Sequence, residues 1–357
     1  MADIRPFRAL RFTERAGDIR ELTCPPYDII SESQRLSYLA RNPHNIIRLE
    51  LPRDGADPYA AAGETLRSWL EEGILRQDDE AAFYVYEIEF DLEGMSDISG
   101  MAGGRRSIVG LIAQVHLEEF SKGIVLPHEE TLSKAKEDRF NLMKATHCNF
   151  SDIYSLYMDD GGEEETLDIL GLAQREKPVS ELTDEAGLTH RLWAITDAGI
   201  VSAIQRRFTD TKLYIADGHH RYETALRYRD TLREQGILDT DAEYVMMMLV
   251  EMSHPGLVVF PTHRMIRDVK NFDAAKLLAD SAPYFDIRTG VPLDALDESL
   301  EHAYTEGRKA FGFYTGGETV TVMTLKDTAV MDSLLPDLSP TARQLDVNVL
   351  HTLVLER

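Results

Sequence analysis

The chain has 357 residues, 43% hydrophobic and 28% charged, which suits an ordinary folded protein of two or three domains. Acidic residues outnumber basic ones by 62 to 38, giving a formal charge of −24. No Lys/Arg-rich tail offsets that excess, so a nucleic-acid partner, which requires a basic surface to release counterions from phosphates, is not expected. No apolar run approaches the ~18 residues that span a bilayer, and no membrane partner is expected either.

The N-terminus, MADIRPFRALRFTERAG, has no apolar core and is not read as a signal peptide. Two cysteines, Cys24 and Cys148, with no CxxC pair, make neither a disulfide framework nor a zinc site. A reducing cytoplasm is the simplest location.

The first hundred residues alternate short strands and helices. Pro25-Pro26-Tyr27-Asp28 is a rigid turn that can present Tyr27 or Asp28 to a cleft, or serve only as a turn. A helix is predicted from Ser31, as N-cap, to Arg41, and a strand over Asn45–Leu51 (NIIRLEL), ended by Pro52. A second helix is predicted from Pro58 to Glu72, stopping at Gly73. Phe83–Phe90 (FYVYEIEF) is a strand rich in aromatic and branched residues, and the glycine-rich stretch from Asp91 to Gly104 is a hairpin loop or connection.

Ser107–Leu117 reads as a buried strand, followed by a helix from about Glu129 to Ala145. Asp159–Glu165 marks an exposed acidic insertion. Leu213–Ala216 is a short apolar strand, then comes DGHHR and a helix to about Gln235. Tyr244–Val250 and Gly256–Phe260 are predicted as two further buried strands, and the three methionines Met246 to Met248 as core filling. From about Asn271 a smaller α/β unit follows. The expected fold class is mixed α/β, with segments 1–104, 105–268 (insertion at about 146–206) and 269–357.

Strand–DGHHR–helix is the strongest chemical signal. A strand that ends at a glycine turn and enters a helix points backbone N–H groups outward, and the positive end of the helix dipole adds to them, which suits an anion. Gly218 permits close approach, Arg221 offers a bidentate contact, and His219 and His220 can donate hydrogen bonds. Asp217 can hold magnesium or orient a nucleophile. The alternative is a simple helix cap at Asp217 with surface histidines.

In LPHEETLSKAKEDR, residues 126–139, His128 and Glu129 stand where a loop enters a helix. A carboxylate there can act as general base, or merely favour the helix dipole. His263 and Arg264, after a predicted strand, can meet an anionic substrate or form a surface ion pair. Cys148 beside His147 is not read as a nucleophilic pair, because neighbours in sequence seldom face each other on a helix.

The runs CPPYDII, NIIRLELP, HEETLSKAKEDRFNLMKATHCN, YIADGHHRYETAL and PTHR resemble, in order and over nearly the whole chain, the prokaryotic "domain of unknown function 1015" family. The block at about 105–268 resembles the ParB/sulfiredoxin fold, and within that group LPHEETLSKAKEDR with LYIADGHHRYETAL is most similar to the archaeal free-serine kinase. The resemblance implies Glu129 as catalytic base, Asp217 as essential aspartate, and Gly218, His219, His220 and Arg221 as the nucleotide phosphate loop. Sulfiredoxin chemistry, which needs a cysteine in that loop, is not implied.

The longer insertion here implies a different substrate pocket. Family members usually continue past an LDV-like segment to a Lys-Ser/Thr motif, so the sequence ending at Arg357 implies a shortened or incomplete C-terminal unit. The expectation is a kinase that takes ATP or ADP with magnesium and phosphorylates a small hydroxyl-bearing metabolite, free L-serine first. One rival is a metal-dependent phosphatase with Asp217, His219, His220, His128 and His263 as ligands. The other is a nucleotide-sensing switch like ParB with CTP.

Overall fold

A computed structural model describes residues 2–91, 104–128, 133–159, 165–238, 240–258 and 263–356, with side chains from 136 onward in the helix that begins at Ser133. They form two compact units, Met1–Glu93 with Gly103–Val258, and Gly94–Ala102 with Val259–Arg357.

The first unit is built on one nine-stranded mixed sheet. Its strands are β1 (Ile4–Arg5), β2 (Phe83–Asp91), β3 (Arg105–His116), β4 (Val125–Leu126), β5 (Ile153–Tyr157), β6 (Ser180–Thr183), β7 (Thr189–Ile195), β8 (Leu213–Asp217) and β9 (Tyr244–Glu251). The order is β4-β8-β5-β9-β3-β2-β7-β6, with β1 beside β3. β8 runs parallel to β4 and antiparallel to β5, whereas β5 and β9 are parallel.

Residues of both segments expected on either side of 104 share this sheet, since Ile88 of β2 pairs with Ile108 of β3. A break at 104/105 would therefore cut through one compact unit, and the observed division falls at Val258/Val259 rather than at 268. The expected insertion at about 146–206 also contributes β5, β6 and β7 to the sheet. Its ladder hydrogen bonds and the buried Ile153, Trp193 and Ile195 hold it in the core. Of the acidic stretch, 160–164 lie outside the described residues. Asp159 itself is not freely exposed, because it accepts from Thr166 N at 2.7 Å and pairs with Arg207.

Helices flank the sheet: α1 (Glu32–Arg41), α2 (Ile47–Glu50), α3 (Pro58–Glu71), α4 (Ser133–Thr146), α5 (Ala198–Phe208) and α6 (His219–Glu234). Ser31 caps α1 in a full capping box with Gln34, and Asp57 caps α3 with Pro58 in its first turn. A Cβ on Gly63 of α3 would lie 2.6 Å from the Ala145 carbonyl of α4, so glycine allows these helices to touch.

The predicted strand Asn45–Leu51 is instead α2. Its branched residues favour a strand locally, but Asn45 Oδ1 accepts the Ile47 N–H at 3.0 Å and turns the chain. The Asn45 amide donates to the Glu21 and Thr23 carbonyls at 2.7 and 3.0 Å, so the segment grips the chain entering the Cys24–Asp28 turn. Gly256–Val258 is also not a strand. Gly256 sits in a turn pressed on β3, where a Cβ would meet the Ser107 carbonyl at 1.8 Å; 259 and 260 lie outside the described residues.

The core of the unit joins Phe83, Leu111, Ile215, Tyr222 and Met247. Met247 and Met248 are buried as expected, while Met246 is half-buried. The second unit has an antiparallel sheet of β10 (Phe285–Pro292), β11 (Ala310–Phe313) and β12 (Thr319–Leu325), with β12 central. Its core gathers Phe285, Met323, Leu325, Met331, Val349 and Leu353, and the chain ends in the helical turns Asp346–Leu350 and His351–Leu355. The fold is mixed α/β throughout. Among the described residues no helix is long and apolar enough to cross a membrane.

Candidate functional site

The Asp217–Arg221 segment joins the end of β8 to the start of α6, as predicted. Gly218 is the N-cap residue at φ 94°, ψ 25°, a left-handed conformation that glycine reaches without Cβ strain. Followed by the right-handed residues of α6, it gives the left-then-right alternation of backbone conformation that characterises anion nests. A Cβ on Gly218 would lie 3.1 Å from Arg221 Cζ and Nε. Gly218→Ala is therefore expected to cost about 1–2 kcal/mol, from left-handed strain together with displacement of Arg221. Denaturant unfolding checks this, and an unchanged midpoint would contradict it.

His219 is 3% exposed and faces the other predicted motif. The His128 backbone N–H donates to His219 Nε2 at 3.2 Å, and His128 Nδ1–H donates to the Ile215 carbonyl at 2.7 Å. The two rings meet edge to face with centroids 4.5 Å apart. A ring nitrogen that accepts a hydrogen bond carries no proton, so this contact requires an unprotonated Nε2 on His219. Parallel pairing of Leu126 with Tyr214 brings His128 to this position. Glu129, the expected base, lies outside the described residues, one peptide bond beyond His128.

Arg221 is folded back over the glycine. It pairs with Asp217 at 2.5 Å and also donates to the Asp152 carbonyl. This is a different posture from an outstretched phosphate clamp, fixed by an ion pair one helical turn apart. Burial raises the Asp152 carboxyl above the usual range; Arg221 pulls it down and Asp217 pushes it up.

A second shell of charge, missed by the sequence reading, stands behind Arg221. Arg139 of α4, 7% exposed, donates to the Glu50 carbonyl at 2.9 Å and lies 3.6 Å from Glu50 Oε1. Its guanidinium sits over the Tyr27 ring, 4.1 Å from the centroid. Ser151 donates its hydroxyl to Glu50 Oε1. Burial drives the Glu50 carboxyl upward, Ser151, Arg139 and Arg221 oppose that, and Asp28 adds to it. Burial also raises the Tyr27 phenol, against the pull of Arg139 and Arg221.

Four sequence motifs thus converge: CPPYD, NIIRLE, KEDR and DGHHR. The helices α4 and α6 carry Arg139 and Arg221 and are tied by Lys136–Glu223 and Arg227–Glu137, each 2.6 Å. Glu50 and Arg139 lay within the quoted motifs, and Ser151 and Asp152 follow directly after the one that ends at Asn149. The available signal was the charged residue inside an apolar run, Glu50 in IIRLEL. His220 is half-buried in the first turn of α6.

His263 and Arg264 are exposed residues of the second unit. Cys148 shows no pairing with His147. Burial raises its thiol, and His147 Nδ1 lies instead 2.6 Å from Tyr228 Oη. Among the described residues, no group of three or more His, Cys, Asp or Glu side chains is placed to hold a metal ion.

A cavity of about 970 Å³ lies elsewhere in the unit, between the N-terminal layer and the sheet, lined by Phe12, Leu66, Tyr84, Ile112, Tyr228 and Met246. Its polar lining is satisfied internally, Tyr84 and Arg11 by Asp78 at 2.6 and 2.8 Å. It lacks the charged, left-handed turn that marks the smaller cleft, which is the better candidate for chemistry.

No curated protein and no solved structure matches the chain. The profile described as "Protein of unknown function (DUF1015)" matches residues 4–348, and so spans every motif that meets at this cleft. The chain belongs to the DUF1015 family.

Proposed function

We propose that the protein is a nucleotide-dependent small-molecule kinase that uses ATP or ADP and acts on the hydroxyl of a small metabolite, with free L-serine the first candidate. The likeness of its core to ParB/sulfiredoxin proteins is part of the same proposal. The observation that supports it is the hydrogen bond from His128 N to His219, which sets the PHE segment against the glycine turn. These are the two motifs whose order resembles that of the archaeal serine kinase.

In this reading the N–H groups around Gly218 and the first turn of α6 receive the phosphates, and Arg221 adds charge. Glu129 takes the proton from the acceptor hydroxyl as its oxygen attacks the terminal phosphorus, whose bond to the bridging oxygen breaks so that ADP leaves from ATP, or AMP from ADP. Asp217, an exposed carboxylate at the strand end, suits magnesium, an oxygen-seeking ion that keeps several waters. When bound, magnesium supplies neutralisation of the charge that spreads over the transferred phosphoryl group. Asp217 would hold the ion, and Arg221, paired with Asp217 here, would turn to the phosphates. The phosphatase alternative fits less well, because His128 and His219 direct ring nitrogens into each other's segment and His263 belongs to the second unit.

The direct experiment is incubation of the purified full chain with magnesium and ATP, ADP or CTP against amino-acid and polyol acceptors, read by mass spectrometry. A phosphorylated acceptor that depends on nucleotide is expected. Tight nucleotide binding with no phosphorylated product would favour the switch, and phosphate-ester hydrolysis without nucleotide would favour the phosphatase.

A further inference from the structure

Behind Arg221 lies a small cavity of about 40 Å³, lined among others by Glu50, Arg139, Ser151, Asn149 and Thr224. Glu50 is 5% exposed, and its two oxygens are treated differently. Oε1 accepts from Ser151 and faces Arg139, whereas Oε2 is buried with no hydrogen-bond partner among the described residues. A carboxylate oxygen left unmet inside a protein is costly, and it is satisfied by a proton or by a donor from outside. The two nearby guanidiniums do not meet it. Arg139 is committed to the Glu50 carbonyl, Asp138 and the Tyr27 face, and Arg221 to Asp217 and the Asp152 carbonyl.

We infer that this cavity is the subsite for the ammonium group of the acceptor, with Glu50 Oε2 as its acceptor atom. Three features select that chemistry. The volume suits only a small group, about the size of three waters, since one water needs roughly 10–15 Å³. An anionic group would face the Glu50 oxygen and be repelled. Asp28, Glu50, Asp152 and Asp217 surround Arg139 and Arg221, so the local excess is negative and a cation is favoured. A hydroxyl could donate too, but without charge assistance it is the weaker partner.

The substrate class is then an amine-bearing alcohol, a short amino alcohol or a hydroxylated α-amino acid, rather than a polyol or hydroxy acid. The inference rests on the kinase reading only for where the hydroxyl points. The ammonium contact is read separately, by direct binding.

Calorimetric titration of the full chain with L-serine, ethanolamine, glycerol and D-glycerate, with and without ATP and magnesium, tests it. The two amines are expected to bind at least about tenfold more tightly than their amine-free counterparts. Glu50→Gln is expected to abolish that preference, so that the amines bind no more tightly than their amine-free counterparts. Thermal unfolding of the variant verifies its fold, and the wild-type ligand series decides the matter if it does not fold. Equal binding of amines and amine-free ligands, binding of none, or a preference that survives in folded Glu50→Gln overturns the inference. Selective amine binding with no ATP heat would overturn the kinase reading and leave the subsite standing.

Discussion

Arg221→Ala is expected to weaken nucleotide binding about 30–150-fold, whereas Glu129→Gln leaves binding nearly intact and slows turnover by ~10²–10⁴. The split follows from where each group acts. Arg221 stands at the glycine turn, and charge-assisted hydrogen bonds to phosphate in the ground state are worth about 2–3 kcal/mol. In the proposed kinase Glu129 would meet the acceptor hydroxyl, so removing its charge would affect the proton transfer and leave the nucleotide contacts in place.

The posture of Arg221 adds a condition to this result. Its partners are Asp217 and the Asp152 carbonyl, so the alanine variant also leaves a carbonyl without its donor. Arg221→Lys retains charge but cannot reproduce the paired geometry, and intermediate affinity is expected. Calorimetry on the three variants, beside the phosphotransfer assay, checks the pattern. Loss of binding in Glu129→Gln as severe as in Arg221→Ala would reassign Glu129 to the metal or the loop.

Arg139→Met should destabilise the first unit by about 3–5 kcal/mol, the cost of leaving a buried carboxylate without its ionic partner. Arg139 and Glu50 are 7% and 5% exposed, and the guanidinium also holds the Glu50 carbonyl and covers Tyr27. Pairing the change with Glu50→Gln should recover much of the loss, because no buried charge then remains.

The pH dependence has a definite sign. The groups facing Glu50 are Arg139, Arg221, Ser151, Asp28, Tyr27 and Cys24, and burial dominates, so the folded protein holds the Glu50 proton more tightly than the unfolded chain. Stability from that proton is complete below the ordinary glutamate pKa and is lost as pH rises through the raised folded value. The deficit of Arg139→Met should therefore shrink as pH falls. Denaturant unfolding across pH measures it, and a deficit that grows on acidification would contradict the assignment.

Local signals were strongest where a single element determines its own form. Ser31 with Gln34, Asp57 with Pro58, and the apolar LYIA before DGHHR each announce a boundary that the structure keeps. The NIIRLEL segment went the other way, since Asn45 bonds to backbone twenty-odd residues earlier and no window of sequence contains that partner. The domain division was illegible for a similar reason. Sheet order is set by non-local pairing, and β2 with β3 crosses the expected boundary. At the site, the strand–glycine–helix form of DGHHR was readable from the sequence, but the pairing of Arg139 with Glu50 depends on α2 meeting α4. That meeting is a product of packing.

The central claim, that the turn at Gly218 holds nucleotide phosphates, is tested most directly by hydrogen–deuterium exchange of the full chain with and without ATP and magnesium. Slowed exchange is predicted in peptides covering Leu213–Tyr222 and Val125–His128, which share the β8–β4 ladder and the His128–His219 contact. The Gly218→Ala variant should lose that protection. Nucleotide binding with protection confined elsewhere, such as around the large apolar cavity lined by Leu66 and Tyr228, would contradict the account.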